Sequence, residues 1–509
     1  MTILYQDSKW LVINKPSGIS THRAHERDLG LIEWLRLHHK LQPHICSRLD
    51  KGTSGVILFA MEKETVAEAQ TIHEEDKSAK SYYFLAGKSS HSSWTETRPI
   101  DDKPCKTVFS RVRTGAAFSL YKAVIHRGRT HQIRQHAAAA GIPILGDNQY
   151  GGKKFVRLCL HCAELQWPGI DCNLEAPLPD WFTLCLEGVS NEVRCLALAE
   201  KRYPFLSEIT DCCRLLHRHE YSSDITVDKY GKFLCVSGFN ENLPSEQVLN
   251  REKNILTMLC KTCDCDGGVV KTNLRDPHRN KLFADIAFWG KKVPESFLVH
   301  EHQLHFQIHL NDRQHAGLFL DQRDSRRRIA EKAAGKRVAN LFAFTCSFSV
   351  HALAADAKLL FSVDLAAGCL RQGQANVAIN HLDQKHNAKF IKEDTRKWLA
   401  RQLRKKENNP AEFIPFDLVV CDPPVFASGG RGMSFHVEKE WPILAKMISG
   451  ILNKDGIALF AHNHQAANEK FYFNSLRKFF RKVTRHNPPL DFPATSGKPA
   501  HVAIYWCEK

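Results

Sequence analysis

The sequence contains no apolar run of the roughly 18 residues that a membrane helix needs, so no transmembrane helix is expected. Its opening residues, Met1 to Asp7, lack a basic stretch followed by an apolar one, so no secretion signal is expected there. No internal repeat is found, which argues against solenoids and propellers. Acidic excess is absent too: Lys and Arg number 71 against 55 Asp and Glu, a formal net charge of +16. A basic chain without a membrane segment favours a polyanionic partner, and nucleic acid fits best. Seventeen cysteines without a secretion signal point to reduced thiols and a cytoplasmic setting rather than a disulfide framework.

At 509 residues the chain is too long for one hydrophobic core. Its 43% hydrophobic and 25% charged residues are ordinary for globular protein, so folded domains are expected throughout. Three units are expected, at residues 1–188, 189–305 and 306–509. The first opens with strand Trp10 to Asn14, closed by the turn signal Lys15-Pro16-Ser17-Gly18. Val56 to Ala60 and Tyr82 to Ala86 read as strands, Glu64 to Ile72 as a helix, and Glu175 to Trp181 as the run-out of the unit. In the second, Ile225 to Val236 reads as a hairpin with Gly231 in its turn. In the third, Arg337 to Phe344, Leu359 to Asp364, Ala388 to Ile391, Phe416 to Cys421 and Gly456 to Ala461 read as strands with helices between them. That alternation predicts a parallel, doubly wound sheet. The run Arg396 to Asn409, with six basic residues, reads as a solvated helix face, RNA contact being the weaker alternative.

Two segments of the first unit combine the residue types that acid chemistry needs. Asp50 stands in Ser47-Arg48-Leu49-Asp50-Lys51-Gly52-Thr53-Ser54-Gly55, a carboxylate just before a turn of small residues. Gly128-Arg129-Thr130-His131-Gln132-Ile133-Arg134-Gln135-His136 is a separate arginine-rich run. An arginine can hold a buried acid in its charged form. Taken alone, an Asp before Gly-Thr-Ser is more often a turn or cap residue. Further motifs follow one order: Asn14-Lys15-Pro16-Ser17-Gly18, Lys80-Ser81-Tyr82 and Gly146-Asp147-Asn148-Gln149-Tyr150-Gly151.

Together, over about residues 3–167, these motifs resemble the RluA-type pseudouridine synthases. The resemblance implies an α+β fold and a cofactor-free isomerisation of uridine to pseudouridine in RNA. It implies Asp50 as nucleophile and Arg134 as the ion-pair partner that keeps it ionised. It implies that Tyr82 stacks on the flipped base and assists proton removal from C5, and that Arg48 enters the RNA stack. Arg129 and His131 would contact RNA. Ser47 stands where the family usually has His, which alters a local RNA contact. No S4-type RNA-binding domain is expected ahead of the unit, so substrate choice is expected from its loops or the later units.

In doubly wound proteins, ligands bind at the carboxyl ends of the strands. The first such turn in the third unit runs from Asn340 to Val350, with Asn340, Phe342, Thr345 and Ser347 as candidates to face a cofactor. Asp364 ends the second strand, where a carboxylate can bond ribose hydroxyls. Asp394 follows the third, and Asp422-Pro423-Pro424-Val425-Phe426 ends the fourth. Each feature alone is as easily a cap or a turn. Their order and spacing resemble class I methyltransferases with a Rossmann-like domain and S-adenosylmethionine as cofactor. Ala316 to Arg327 and Asp228-Lys229-Tyr230-Gly231 bring the resemblance nearest to rRNA guanine-N7 enzymes of the RlmK type and cytosine-C5 enzymes of the RlmI type, over about 215–507. It implies a small α/β middle domain that binds RNA, Asp422 as the residue that orders the base's edge, and Phe426 as a stacking platform.

Chemistry separates the two relatives. Methylating cytosine C5 needs a thiolate that attacks C6, and the cytosine enzymes carry Cys after the fifth strand. Here that place reads Phe460-Ala461-His462-Asn463-His464, and the nearest thiol, Cys421, reads as a core residue within its strand. Guanine N7 carries a lone pair and needs only positioning, so guanine is favoured. The family has Gly where Cys346 and Asp356 stand. A glycine permits close approach or positive φ, so a cofactor site weakened by Cys346 is the rival expectation.

Cys260-Lys261-Thr262-Cys263-Asp264-Cys265 offers three thiols where a closed zinc site needs four ligands, and reads as structural. Cys159-Leu160-His161-Cys162 reads the same way, and the 27 histidines are scattered, so no metal is expected. The chain is therefore expected to be an α/β multidomain, bifunctional RNA-modifying enzyme acting on rRNA or a ribosome-assembly intermediate. The alternatives are a synthase whose second half only binds RNA, and a non-catalytic RNA-binding factor.

Overall fold

The computed structural model describes residues 2–23, 30–218, 220, 224–275, 282–312, 315–383, 387–428, 434–464, 468–493 and 502–509. The chain divides into two compact units. The first holds residues 1–208 with 220–223 and 251–265; the second holds 209–219, 224–250 and 266–509. Helix Asn191–Leu206 thus lies in the first unit, although the sequence placed it in a middle domain. Among the described residues no helix is long and apolar enough to cross a membrane.

The first unit is built on a largely antiparallel sheet. Its order is Thr2–Gln6, Trp10–Lys15, Ser54–Ala60, Leu160–Gln166, Ala79–Ala86, Ser119–Ile125, Thr107–Thr114 and Ser93–Glu96. Ser54–Ala60 is buried along its whole length, as a central strand with apolar residues on both faces must be. It pairs parallel with Leu160–Gln166 through Ser54 and Gly55. Gly55 has φ +108, and a Cβ there would sit 2.0 Å from the Cys162 carbonyl oxygen. Only glycine lets the strand that follows Asp50 start this close to its neighbour.

The second unit contains the doubly wound sheet. Its order is Asn387–Lys392, Leu359–Asp364, Arg337–Leu341, Phe416–Cys421, Leu452–His462, Ala503–Glu508 and Lys482–His486. The first five are parallel; the last two are antiparallel. The order reverses beside Arg337–Leu341, and a crevice opens at such a switch point. The first strand stops at Leu341 rather than Phe344, because Phe342, Phe344 and Cys346 adopt φ of +55, +47 and +60. A strand cannot run through left-handed residues.

A smaller sheet, Cys212–Leu216, Ile225–Tyr230, Phe233–Gly238, Gly267–Arg275 and Leu282–Gly290, belongs to the same unit. Gly231 makes the expected hairpin turn at φ +55, pairing Tyr230 with Phe233. One face of this sheet joins the large sheet's core: Cys212, Tyr230 and Phe233 share one apolar cluster with Val338, Val350 and Leu360. Buried ion pairs tie helix Arg323–Ala333 to its surroundings. Arg326 makes two 2.7 Å bonds to Glu301, and Arg323 makes two 2.9 Å bonds to Asp491, which also accepts from the Arg214 N–H.

Candidate active sites

The first unit has a cavity of about 860 Å³. Asp50, Arg48, Tyr82, Arg129, His131 and Arg134 all line it, although they come from three separate stretches of chain. Asp50 begins a turn in which the Thr53 N–H donates to its carbonyl at 3.0 Å. The motif at residues 14–18 supports that turn from behind. Ser17 Oγ donates to the Gly52 carbonyl at 2.8 Å, and the Gly18 N–H donates to Lys51 at 2.6 Å. Lys15, fully buried, donates to the Pro16 and Ile19 carbonyls at 3.0 and 2.8 Å. Burial, reinforced by Arg157, pushes its pKa down to about 7.

Arg134 sits on helix Gln132–Ala139, whose preceding residue His131 is left-handed at φ +57. Its Nη1 donates to Asp50 Oδ2 at 3.2 Å, and His131 Nε2 lies 3.7 Å from Asp50 Oδ1. Arg134 has a second carboxylate partner as well. Its Nε and Nη2 donate to Asp147 at 2.7 and 2.8 Å, and its guanidinium lies 5.0 Å from the Tyr150 ring centre. Asp147, from the Gly146–Gly151 motif, is the positioning residue that sequence reasoning missed; it is 1% exposed. Its signal was an acid in a quoted motif with no role assigned. Tyr82 is buried, and burial with nearby Cys162 holds its phenol well above its ordinary pKa. Such a phenol stays protonated and presents its ring to the cavity.

The second unit has a cavity of about 730 Å³ at the carboxyl ends of the parallel strands. Asn340, Phe342, Ser347, Asp364, Asp394, Asp422 and Phe426 line it. Thr345 does not. It is buried under the turn, where its hydroxyl donates to the Gly317 carbonyl at 2.6 Å. Sequence reasoning assigned no role to Phe319, Phe344, Leu365, Asp321, Gln322 or Arg326, which also line the cavity. Phe319 and Phe344 form an aromatic wall, with ring centres 5.0 Å apart.

Asp364 pins the left-handed turn: its Oδ2 accepts from the Phe344 N–H at 2.9 Å and its Oδ1 from the Ala366 N–H at 2.8 Å. Asp394 caps helix Thr395–Asn408 by accepting from the Arg396 and Lys397 N–H groups. Burial opposes its ionisation, but Arg396 and these N–H donors outweigh burial and hold its carboxyl below the ordinary value. Asp422 is the opposite case: burial and the neighbouring Asp321 push it up to about 7, against the pull of Arg326 and Gln322. Two acids in one cavity with opposite shifts are fitted to different tasks.

Cys346 and Asp356, the departures from glycine, both take left-handed conformations, φ +60 and +59. The Cys346 side chain turns away from the cavity into a small cluster with Ala343 and Leu370. A Cβ on Gly373 would lie 2.4 Å from its Sγ, so a glycine on the next helix makes the room. Cys421 is fully buried in its strand, and burial with Asp422 holds its thiol well above the ordinary value.

Volume, acids and turn together fit S-adenosylmethionine. Asp364 stands at the strand end, exposed Leu365 next to it presents an apolar face, and Asp394 lines the same cavity. A doubly wound sheet with this crevice, and a separate unit with an Asp–Arg pair lining its own cavity, define a cofactor-binding region and an acid-centred site.

Comparisons with known proteins agree with that division. Residues 217–502 match the S-adenosylmethionine-dependent methyltransferase family, and residues 9–139 match the RNA pseudouridylate synthase family. The chain therefore belongs to the S-adenosylmethionine-dependent methyltransferases and carries an RNA pseudouridylate synthase domain ahead of that region. It is similar to ribosomal RNA large subunit methyltransferase K/L of Magnetococcus marinus, 29% identical over 55% of this chain and 38% of that one. The same protein of Alcanivorax borkumensis is 30% identical over 56% and 39%. The chain thus spans about two fifths of the length of these curated relatives. A methyltransferase structure complexed with SAH superposes with a TM-score of 0.53 at 24% identity, over 64% of this chain and 83% of that one, which shows the fold.

Proposed function

We propose that the chain is a bifunctional rRNA-modifying enzyme. Its first unit isomerises uridine to pseudouridine, and its second methylates guanine N7 of large-subunit rRNA. One observation carries the first assignment: Asp50, Arg134, Tyr82 and the cations Arg48 and Arg129 converge on one cavity. In this reading the Asp50 carboxylate is the nucleophile of the reaction. The C1′–N1 bond breaks, C1′ bonds to C5, and over the cycle the C5 proton is exchanged for one on N1. Arg134, held by Asp147, keeps a positive charge beside Asp50. Tyr82 is the platform for the flipped base. Arg48, Arg129 and His131 contact the RNA.

In the second unit, bound S-adenosylmethionine supplies an electrophilic methyl group. Asn340, Phe342, Ser347, Asp364 and Asp394 would hold it. Asp422 and Phe426 would order and stack the base, and the smaller sheet would contribute RNA contacts. Guanine is preferred because no cysteine is among the described residues lining the cavity, and a cytosine-C5 reaction needs a thiolate. N7 donates its own lone pair and loses no proton, so positioning suffices. The test is mass mapping of large-subunit rRNA from cells lacking the gene, with the purified chain added back. The reading expects one lost pseudouridine and one lost 7-methylguanine, both restored; a restored 5-methylcytosine would refute the guanine assignment.

A further inference from the structure

The second cavity contains a polar group that this reading does not use. Gln322 ends the short turn Leu320–Gln322 ahead of helix Arg323–Ala333. It is 2% exposed and lines the cavity with Asp422. Its Nε2 donates to Asp422 Oδ2 at 3.2 Å. Its Oε1 is buried and has no hydrogen-bond partner. With Asp422 ionised, as above about pH 7, its carboxylate takes the N–H end of the amide and fixes the orientation. A buried carbonyl without a donor is costly and uncommon in a native protein. Arg326, the nearby cation, is turned to Glu301 and the Phe319 carbonyl.

Two groups on this wall are acceptors: the carboxylate of Asp422 and Gln322 Oε1. Both purines carry an N7, so an N7 methyltransferase must tell them apart elsewhere. Guanine presents N1–H and an N2 amino group side by side. Adenine presents a lone pair at N1. An acceptor facing that edge rewards guanine and repels adenine. We propose that Gln322 selects guanine over adenine, its Oε1 accepting from the Watson–Crick N–H edge of the base while its Nε2 holds Asp422. The terminal torsion of a glutamine is soft, so the amide can follow an arriving base. This inference rests on the guanine-N7 reading.

The methylated position is first mapped with the wild-type full chain. RNAs with guanine or adenine at that position are then made by splinted ligation, and kcat/KM for methyl transfer is measured on each. Wild type favours guanine. Gln322→Met, which keeps the shape and removes the acceptor, lowers the guanine-to-adenine ratio by roughly 5–150-fold, the range of one lost buried hydrogen bond. Gln322→Glu keeps an acceptor and loses the donor to Asp422, so it turns over more slowly yet retains the preference. An unmoved ratio in Gln322→Met overturns the assignment, as does loss of preference in Gln322→Glu. Loss of S-adenosylmethionine affinity by Gln322→Met in calorimetry also overturns it, because the residue would then hold the cavity's shape. If the mark is 7-methylguanine and the ratio is unmoved, the role of Gln322 alone fails; a mark on cytosine, or none, removes the guanine reading and this inference together.

Discussion

Arg134→Ala removes a cation that joins two carboxylates of unequal burial. Asp147 has a side chain 1% exposed and takes two bonds from Arg134, whereas Asp50 is 30% exposed and takes one. The charge stranded by the substitution is therefore mainly that of Asp147. Removing one partner of a buried pair costs about 3–5 kcal/mol, against about 5–15 kcal/mol for a whole domain. The fold is at risk before catalysis is measured. Adding Asp147→Asn removes the stranded charge and keeps the oxygen that accepts from the Gln149 and Tyr150 N–H groups at 3.2 and 3.3 Å. The double variant should recover about 2–4 kcal/mol of that loss, the remainder being a hydrogen bond or so. It should still form no pseudouridine, because nothing replaces the cation beside Asp50. The assay is hydrogen exchange of strands Ser54–Ala60 and Ala79–Ala86 in the full chain, since a chain of two units need not melt in one step. Tritium release from C5-labelled RNA reads the turnover. Wild-type protection in Arg134→Ala would refute the burial argument, and restored turnover in the double variant would refute the role of the cation.

Asp50→Asn should abolish pseudouridine formation and leave methylation intact; pseudouridine at the wild-type rate would sink the nucleophile. Asp364→Ala should weaken S-adenosylmethionine binding by about 1.5–3 kcal/mol, since hydrogen bonds to a charged group are lost; unchanged calorimetric affinity counts against the site. Cys346→Gly should leave that affinity unchanged, because the thiol faces Gly373 and not the cavity; a clearly tighter complex would show that the cysteine crowds the turn after all. Asp422 titrates near about 7 when folded, mainly through burial, and about 3.9 when unfolded. Between those values the folded unit retains a proton that the unfolded chain has released, so its stability falls as pH rises and does not return above the upper value. Asp422→Asn lacks this loss, so its gain in protection over wild type should be larger at pH near 8 than near 4; the reverse order would show that Asp422 ionises freely.

Much of both sites was legible because short motifs carry their own local geometry. The Asn14–Gly18 and Arg48–Gly55 runs were both read as motifs of one resemblance, and the structure has them hydrogen-bonded back to back. The order of acids after the parallel strands was equally readable, since each follows an apolar run of strand length. Less legible was the direction of side chains within a turn. Thr345 and Ser347 were read together, yet left-handed Cys346 between them sends Thr345 under the turn and leaves Ser347 at the cavity.

The sequence by itself determined the order of elements, the acids at strand ends and the motif that carries Asp50, because strand periodicity and turn chemistry act over a few residues. Tertiary structure alone decided three things. Asp147 lies 13 residues after Arg134 and becomes its main partner only when the loop at Gly146 folds onto the helix. Cys212, Tyr230 and Phe233 of the smaller sheet come to share one core with Val338 and its neighbours, more than 100 residues further along the chain. Gln322 reaches Asp422 across 100 residues of sequence. Charges and amides far apart in the chain find their partners only where burial removes water as the alternative, and burial is a property of the whole fold.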